Sequence, residues 1–141
     1  MVSQTKSAKE KVRIIFDANA LFVPLQFNID IFEETKQLLD RNFEAVVLLS
    51  TCQELERIAK QGPLETRRKA AFALELAKKC RILKTSKESE TPTDDLIVQA
   101  ASKHNWPVFT NDRQLRNRLR DINVPVIYVR QKSRLDMDGR L

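Results

Sequence analysis

Five short runs of apolar, largely β-branched residues alternate along this chain with longer segments of helical spacing, and that alternation restricts the fold more than any other feature. The runs are residues 12–16, 45–49, 81–83, 107–110 and 125–129. Between the first two, residues 29–39 carry Ile29, Phe32, Leu38 and Leu39 at helical spacing with charges interposed. Ser50 and Thr51 open a segment whose apolar face is Leu55, Ile58 and Ala59 and which ends near Gly62 and Pro63. Residues 64–79, 94–104 and 112–121 read as further helices, and 85–93 is a polar loop. Strands that alternate with helices imply a parallel sheet covered on both faces through right-handed crossovers. The expected class is therefore α/β: a three-layer fold with a central parallel sheet of about five strands flanked by helices. In such open sheets ligands bind beyond the carboxyl ends of the strands.

The 141 residues suit one domain, and 42% hydrophobic residues suffice for a real core. The expected organisation is a polar N-terminal tail over 1–10, a domain over 11–131 and a basic C-terminal tail over 132–141. The opening MVSQTKSAKEK is polar and no run of 18 apolar residues occurs, so a soluble, cytoplasmic protein with no membrane association is expected. Cys52 and Cys80 lack the paired spacing of a zinc site and the density of a disulfide scaffold, and read as reduced, buried and structural. The net charge of +6 favours an anionic polymer as partner. Eight basic residues against three acids follow residue 112, so five of the six net charges lie in the last 29 residues. A solvated surface helix and tail would account for that run equally well.

Acids stand where the sheet rule directs attention. Asp17 closes the first strand without a helix predicted directly after it, and Asp112 follows the fourth strand in Val108-Phe109-Thr110-Asn111-Asp112. Glu54 lies about one turn into the helix after the second strand, and Asp94 and Asp95 open the helix after the polar loop. Each of the last three positions also has a capping reading: Thr51 to Glu54 fits a capping box, Thr93, Asp94 or Asp95 suits a cap, and so does Asn111 or Asp112. Carboxylates gathered at one edge repel and raise one another's pKa, so they are tenable mainly around a bound cation. All-oxygen ligation points to Mg2+ or Mn2+ rather than zinc.

Other catalytic sets are poorly supplied. The single histidine, His104, has no nucleophile at a recognisable spacing and reads as surface, which argues against Ser-His-Asp and Cys-His chemistry. Two glycines, Gly62 and Gly139, cannot build a Walker loop or a dinucleotide fingerprint. A phosphorelay receiver would need an isolated Asp ending a third strand and a Lys ending a penultimate one, and neither is present.

Four short pieces in this order and spacing resemble the PIN-domain ribonuclease family: Ile15 to Leu21, Ser50 to Leu55, Thr93 to Ile97 and Val108 to Leu115. The resemblance runs from about Arg13 to Gln131 and implies a PIN-like fold. It implies Asp17, Glu54 and Asp112 as acids, with the third at Asp94 or Asp95; Ile97, three positions after Asp94, favours Asp94. It also implies supporting roles for Asn19 and Thr110. The stretches 21–27 and 124–131 look similar to the archaeal and eukaryotic branch that includes ribosomal-RNA-processing endonucleases, though the long terminal extensions of its eukaryotic members are absent here. VapC-type toxins share the same acids and a similar length, and a toxin would be paired with an antitoxin.

The chemistry implied is cation-assisted hydrolysis of RNA, single-stranded or a structured precursor, leaving a 5′-phosphate and a 3′-hydroxyl. Arg113, Arg116 and Arg120 would share one side of the helix after Asp112 and could guide a phosphate backbone, or could form a solvated face paired with Asp121. Aromatics are scarce, and Phe16, Phe22, Phe32, Phe72 and Phe109 read as core, so no base-stacking platform is evident. PIN relatives often pair as homodimers, but no exposed apolar stripe assigns an interface here. Three readings remain open: the ribonuclease, a non-catalytic RNA-binding or ribosome-assembly module on the same fold, and a structure-selective DNA nuclease.

Overall fold

The computed structural model describes residues 11–85 and 90–141, so the tail expected over 1–10 and part of the 85–93 loop lie outside the described residues. Six strands form one sheet: β1 (Val12–Phe16), β2 (Phe43–Leu48), β3 (Arg81–Leu83), β4 (Val108–Phe109), β5 (Val126–Arg130) and β6 (Arg134–Asp138). Six helices connect them: α1 (Ala18–Phe27), α2 (Ile31–Leu39), α3 (Leu49–Gln61), α4 (Leu64–Ala77), α5 (Thr93–His104) and α6 (Arg113–Asp121). The strand order is β3-β2-β1-β4-β5-β6, with β1 to β5 parallel and β6 antiparallel to β5. This is the three-layer α/β architecture expected from the alternation, with one strand more. Among the described residues, no helix is long and apolar enough to cross a membrane.

The strand pleat explains the layers, because successive side chains point to opposite faces. Ile14 and Phe16 of β1, Val47 of β2, Phe109 and Ile127 face one way, against Leu21, Ile31, Leu55, Ala70 and Ala73 of α1 to α4. Ile15, Leu48, Val108 and Val126 face the other way, against Leu96, Ile97, Leu115 and Leu119 of α5 and α6. Phe16 sits at the centre of the first layer, 5.1 Å from the Phe109 ring and 5.8 Å from Phe32. Phe72 does not join it: on α4 the small residues Ala70, Ala73 and Ala77 face the sheet, and Phe72 turns to solvent. Cys52 and Cys80 are free but half-buried rather than buried. Burial nonetheless pushes the Cys80 thiol up to about 12, far from a reactive thiolate.

Three local features depart from expectation. Residues 18–27 form a helix directly after Asp17 despite Pro24 within it. Proline interrupts one turn of hydrogen bonding, but Ala20, Leu21 and Val23 are completely buried, and Asn28 ends the helix in a left-handed conformation with its N–H on the Pro24 carbonyl. Residues 132–141, read as a tail, supply β6. Arg134-Leu135-Asp136-Met137-Asp138 alternates polar and apolar, and Leu135 is buried against the first layer. Gln131 and Lys132 make the reversal, both at positive φ as a tight hairpin turn requires, but neither is the Asn or Gly that usually signals one. Third, α3 begins at Leu49, so Thr51 lies inside the helix and the Thr51–Glu54 capping box does not form.

The winding fixes where a site can lie. From β1 the chain winds through β2 to β3, then crosses back by α5 to β4 on the far side of β1. The order therefore reverses between β1 and β4, and the crevice at their carboxyl ends is the topological switch point.

Candidate active site

Asp17 emerges at the carboxyl end of β1, 7% exposed, and its main-chain N–H still pairs with the Phe109 carbonyl at 3.0 Å. Its side chain has three donors. Oδ1 accepts from Ala18 N at 2.7 Å, while Oδ2 accepts from Thr110 Oγ1 at 2.8 Å and Asn19 Nδ2 at 3.2 Å. It thus caps α1, contrary to the expectation that no helix followed, and is fixed from β4 as well. Burial lifts its pKa to about 6; the Thr110 and Ala18 hydrogen bonds oppose that, and the charges of Asp94 and Asp112 add to it.

Asp112 caps α6, where Oδ1 accepts from Gln114 N at 2.9 Å and Leu115 N at 3.3 Å. Oδ2 takes no part in the cap, so capping uses only one of the two carboxylate oxygens. Asp94 lies in the first turn of α5, whose N-cap position is Pro92 with no side-chain cap bond, so capping does not account for it. Burial and then the Asp112 charge push the Asp94 pKa up, against the pull of Arg118. Asp95 turns instead to Arg118, with Oδ1 2.9 Å from Nη2. Of the two adjacent acids, Asp94 is the one coupled electrostatically to both Asp17 and Asp112.

Glu54 lies on the exposed face of α3, 4.0 Å from Arg57 one turn away, and is not among the charges that act on Asp17 or Asp94. Among the described residues no three His, Cys, Asp or Glu side chains stand close enough to enclose a metal ion. Asp17, Asp94 and Asp112, one buried and two partly so, are electrostatically coupled and offer only oxygen donors, the ligand type that hard cations take. Neither Asp17 nor Asp112 forms an ion pair among the described residues.

Behind the acids runs a polar network. Thr110 is fully buried; its Oγ1 donates to Asp17 and accepts from the Asp112 N–H at 3.1 Å, so one hydroxyl sets both acids. Asn19 Oδ1 accepts from Asn111 N at 2.9 Å. Asn111, absent from the expected set except as a cap, accepts from Val129 N at 2.8 Å through Oδ1 and ties the Asp112 loop to β5. Ser50, likewise unmarked, accepts from Thr93 Oγ1 at 3.4 Å and joins the start of α3 to the start of α5. Local pattern held no signal for either, since both bonds reach across the sheet.

The three arginines of α6 have different fates. Arg113, next to Asp112, is exposed and has no partner among the described residues. The Arg116 guanidinium lies 4.2 Å from the centre of the Tyr128 ring, with a buried Nε that lacks a hydrogen-bond acceptor among the described residues. Arg120 bonds to Asn117 and pairs with Asp138 at 3.6 Å. Asp138 pairs with Val126 at the amino end of β5, so Arg120 belongs to the edge opposite the acids and not beside them. The two turns of helix between Arg113 and Arg120, roughly 10 Å, account for that separation.

The family described as PIN like domain matches residues 14–132. Ribonuclease VapC4 of Methanocaldococcus jannaschii is 33% identical over 128 residues, spanning 90% of this chain and 97% of that protein. Ribonuclease VapC9 of Archaeoglobus fulgidus is 24% identical over 131 residues, spanning 92% and 93% respectively. Among solved structures, that of the PIN domain endonuclease Utp24 is similar with a TM-score of 0.78 and 27% identity over 92% of each chain.

Proposed function

The chain belongs to the PIN-like domain family, and from that premise we propose that it is an endoribonuclease hydrolysing RNA phosphodiesters at the carboxyl-end edge of its sheet, with Mg2+ or Mn2+ as cofactor. The observation that carries this reading is Asp17, a buried carboxylate held by three hydrogen bonds and pushed toward neutrality by burial and by two neighbouring acids. Such a group favours a cation over its own proton as the pH rises through 6. Asp17, Asp94 and Asp112 would hold the cation, and Glu54 would complete the set by leaving its exposed contact with Arg57, which is worth less than about 1 kcal/mol. When bound, the cation would polarise the phosphoryl group, supply a hydroxide-like nucleophile near neutral pH and stabilise the leaving oxygen.

The chain's own residues position and bind. Thr110 and Asn19 hold Asp17 in one orientation, and Asn111 anchors the loop that carries Asp112. Arg113 offers an unanswered charge beside Asp112, and Arg116 a guanidinium oriented by Tyr128, both suited to a phosphate backbone and neither to sequence readout. No side chain need act as a covalent nucleophile. This reading puts the protein in the cytoplasm with its RNA.

Likeness to two VapC ribonucleases over nearly their whole length favours a narrower form, a ribonuclease restrained by an antitoxin, over a dedicated ribosomal-RNA-processing enzyme. Growth arrest on expression, reversed by Asp17→Asn, would support the restrained form; unaffected growth together with cleavage of a defined precursor would support processing. For the activity itself, purified protein is incubated with single-stranded RNA, duplex RNA and single-stranded DNA in Mn2+ or Mg2+, with EDTA as control. Metal-dependent RNA products bearing 5′-phosphates are expected. Binding of RNA without cleavage of any substrate would favour the non-catalytic module, and preferential cutting of DNA the alternative nuclease.

A further inference from the structure

A second feature lies at the opposite edge of the sheet, beyond the amino ends of β1 and β4. There a surface pocket of about 510 Å3 is lined on its polar side by Lys11, Arg13, Asn105, Asn123 and Arg140 and elsewhere by Trp106 and other apolar residues, and no acidic side chain lines it. Trp106, the chain's single tryptophan, is half-buried; the His104 ring stacks on it with centroids 4.2 Å apart and planes 16° from parallel. His104 lines a neighbouring pocket, so Trp106 is the aromatic side chain that this one presents. Arg13 stands 5.9 Å from the indole, its charge largely answered by Glu44 at 2.8 Å. Lys11 and Arg140 are exposed and, like Asn105 and Asn123, have no side-chain partner among the described residues. The two asparagines sit in left-handed turns just past α5 and α6, with φ of 59° and 62°.

An indole, two unanswered cations and two free amides are what an unpaired nucleotide requires: an aromatic surface against the base, charges for the phosphate, and donors and acceptors for the base edge or 2′-hydroxyl. A small anion would use the cations alone. An apolar helix would cover the two cations without answering either charge. Building on the ribonuclease reading, we propose that this pocket binds one unpaired nucleotide of the RNA substrate, as an anchoring contact remote from the acids. The five residues of β1 separate the two edges by roughly 17 Å, so only a strand of several nucleotides touches both. The pocket therefore selects for length rather than for sequence at the cut.

Trp106 supplies the readout. Its fluorescence is followed while decauridylate is added to the protein in EDTA, with tripolyphosphate and an abasic strand of equal length as comparison ligands. Decauridylate quenches, the abasic strand quenches far less, and Asp17→Asn keeps the quench. Lys11→Glu with Arg140→Glu, shown folded by circular dichroism, weakens binding at least tenfold and flattens the salt dependence of log K by about 1.4, as expected for two lost single-strand phosphate contacts. No quench, a quench unchanged in the double variant, or tripolyphosphate matching decauridylate would each overturn the assignment. Cleavage of RNA without any quench removes this site and leaves the nuclease; a quench without cleavage in metal removes the nuclease and leaves the site.

Discussion

A carboxylate buried beside two others destabilises the protein that holds it, and Asp17 does so in a definite pH window. Its folded pKa, about 6, lies above the ordinary 3.8, so the folded form retains a proton that the unfolded form has released. Stability from this residue is complete below about pH 4, falls between there and pH 6 and is then flat, a loss of roughly 3 kcal/mol. Urea unfolding in EDTA should accordingly show Asp17→Asn gaining on the wild type between pH 4.5 and 7.5, and excess Mn2+ should remove that gain. Thr110→Val makes a second test. It deletes the hydroxyl that holds Asp17 and also leaves the Asp112 N–H without its acceptor, so a cost of about 1–3 kcal/mol is expected in stability. Because the lost bond lowers the Asp17 pKa, the acid limb of the cleavage–pH profile should move to higher pH. An unshifted limb would mean that Asp17 does not govern the reaction's pH dependence.

Elements were legible in the sequence where a hydrophobic period repeats, and illegible where burial comes from partners distant in the chain. The alternation of strands and helices, and Asp17 and Asp112 at strand ends, could be read directly because each depends on neighbouring residues. Helix α1 has no amphipathic face and carries Pro24, so only its burial between the sheet and α4 reveals it. Strand β6 turns on Gln131-Lys132, whose unusual conformation is enforced by the pairing that follows. The network through Asn111 and Ser50 escaped for the same reason: its bonds span 18 and 43 residues. Since β6 is part of the sheet, Leu135→Ala should cost about 2–4 kcal/mol in chemical denaturation, as for a buried core leucine. A loose tail would lose almost nothing.

For the whole molecule, charge and sheet polarity set the two edges apart. Acids and Arg113 occupy the carboxyl-end edge, while Arg120 is held by Asp138 at the other. Arg113→Ala should raise KM for single-stranded RNA severalfold and weaken its salt dependence by about 0.7 in log–log slope, the value of one phosphate contact. Arg120→Ala should alter stability slightly and leave cleavage of a short oligonucleotide unchanged; equal effects of the two on that substrate would mean that the helix binds RNA along its entire length. The central claim is that the carboxylates at the switch point hold the catalytic cation, and it is tested most directly by single-turnover cleavage of single-stranded RNA in Mn2+ by wild type and Asp17→Asn, both shown folded and RNA-binding. The account predicts metal-dependent cleavage reduced at least 100-fold by the substitution. Comparable cleavage by the two proteins would contradict it.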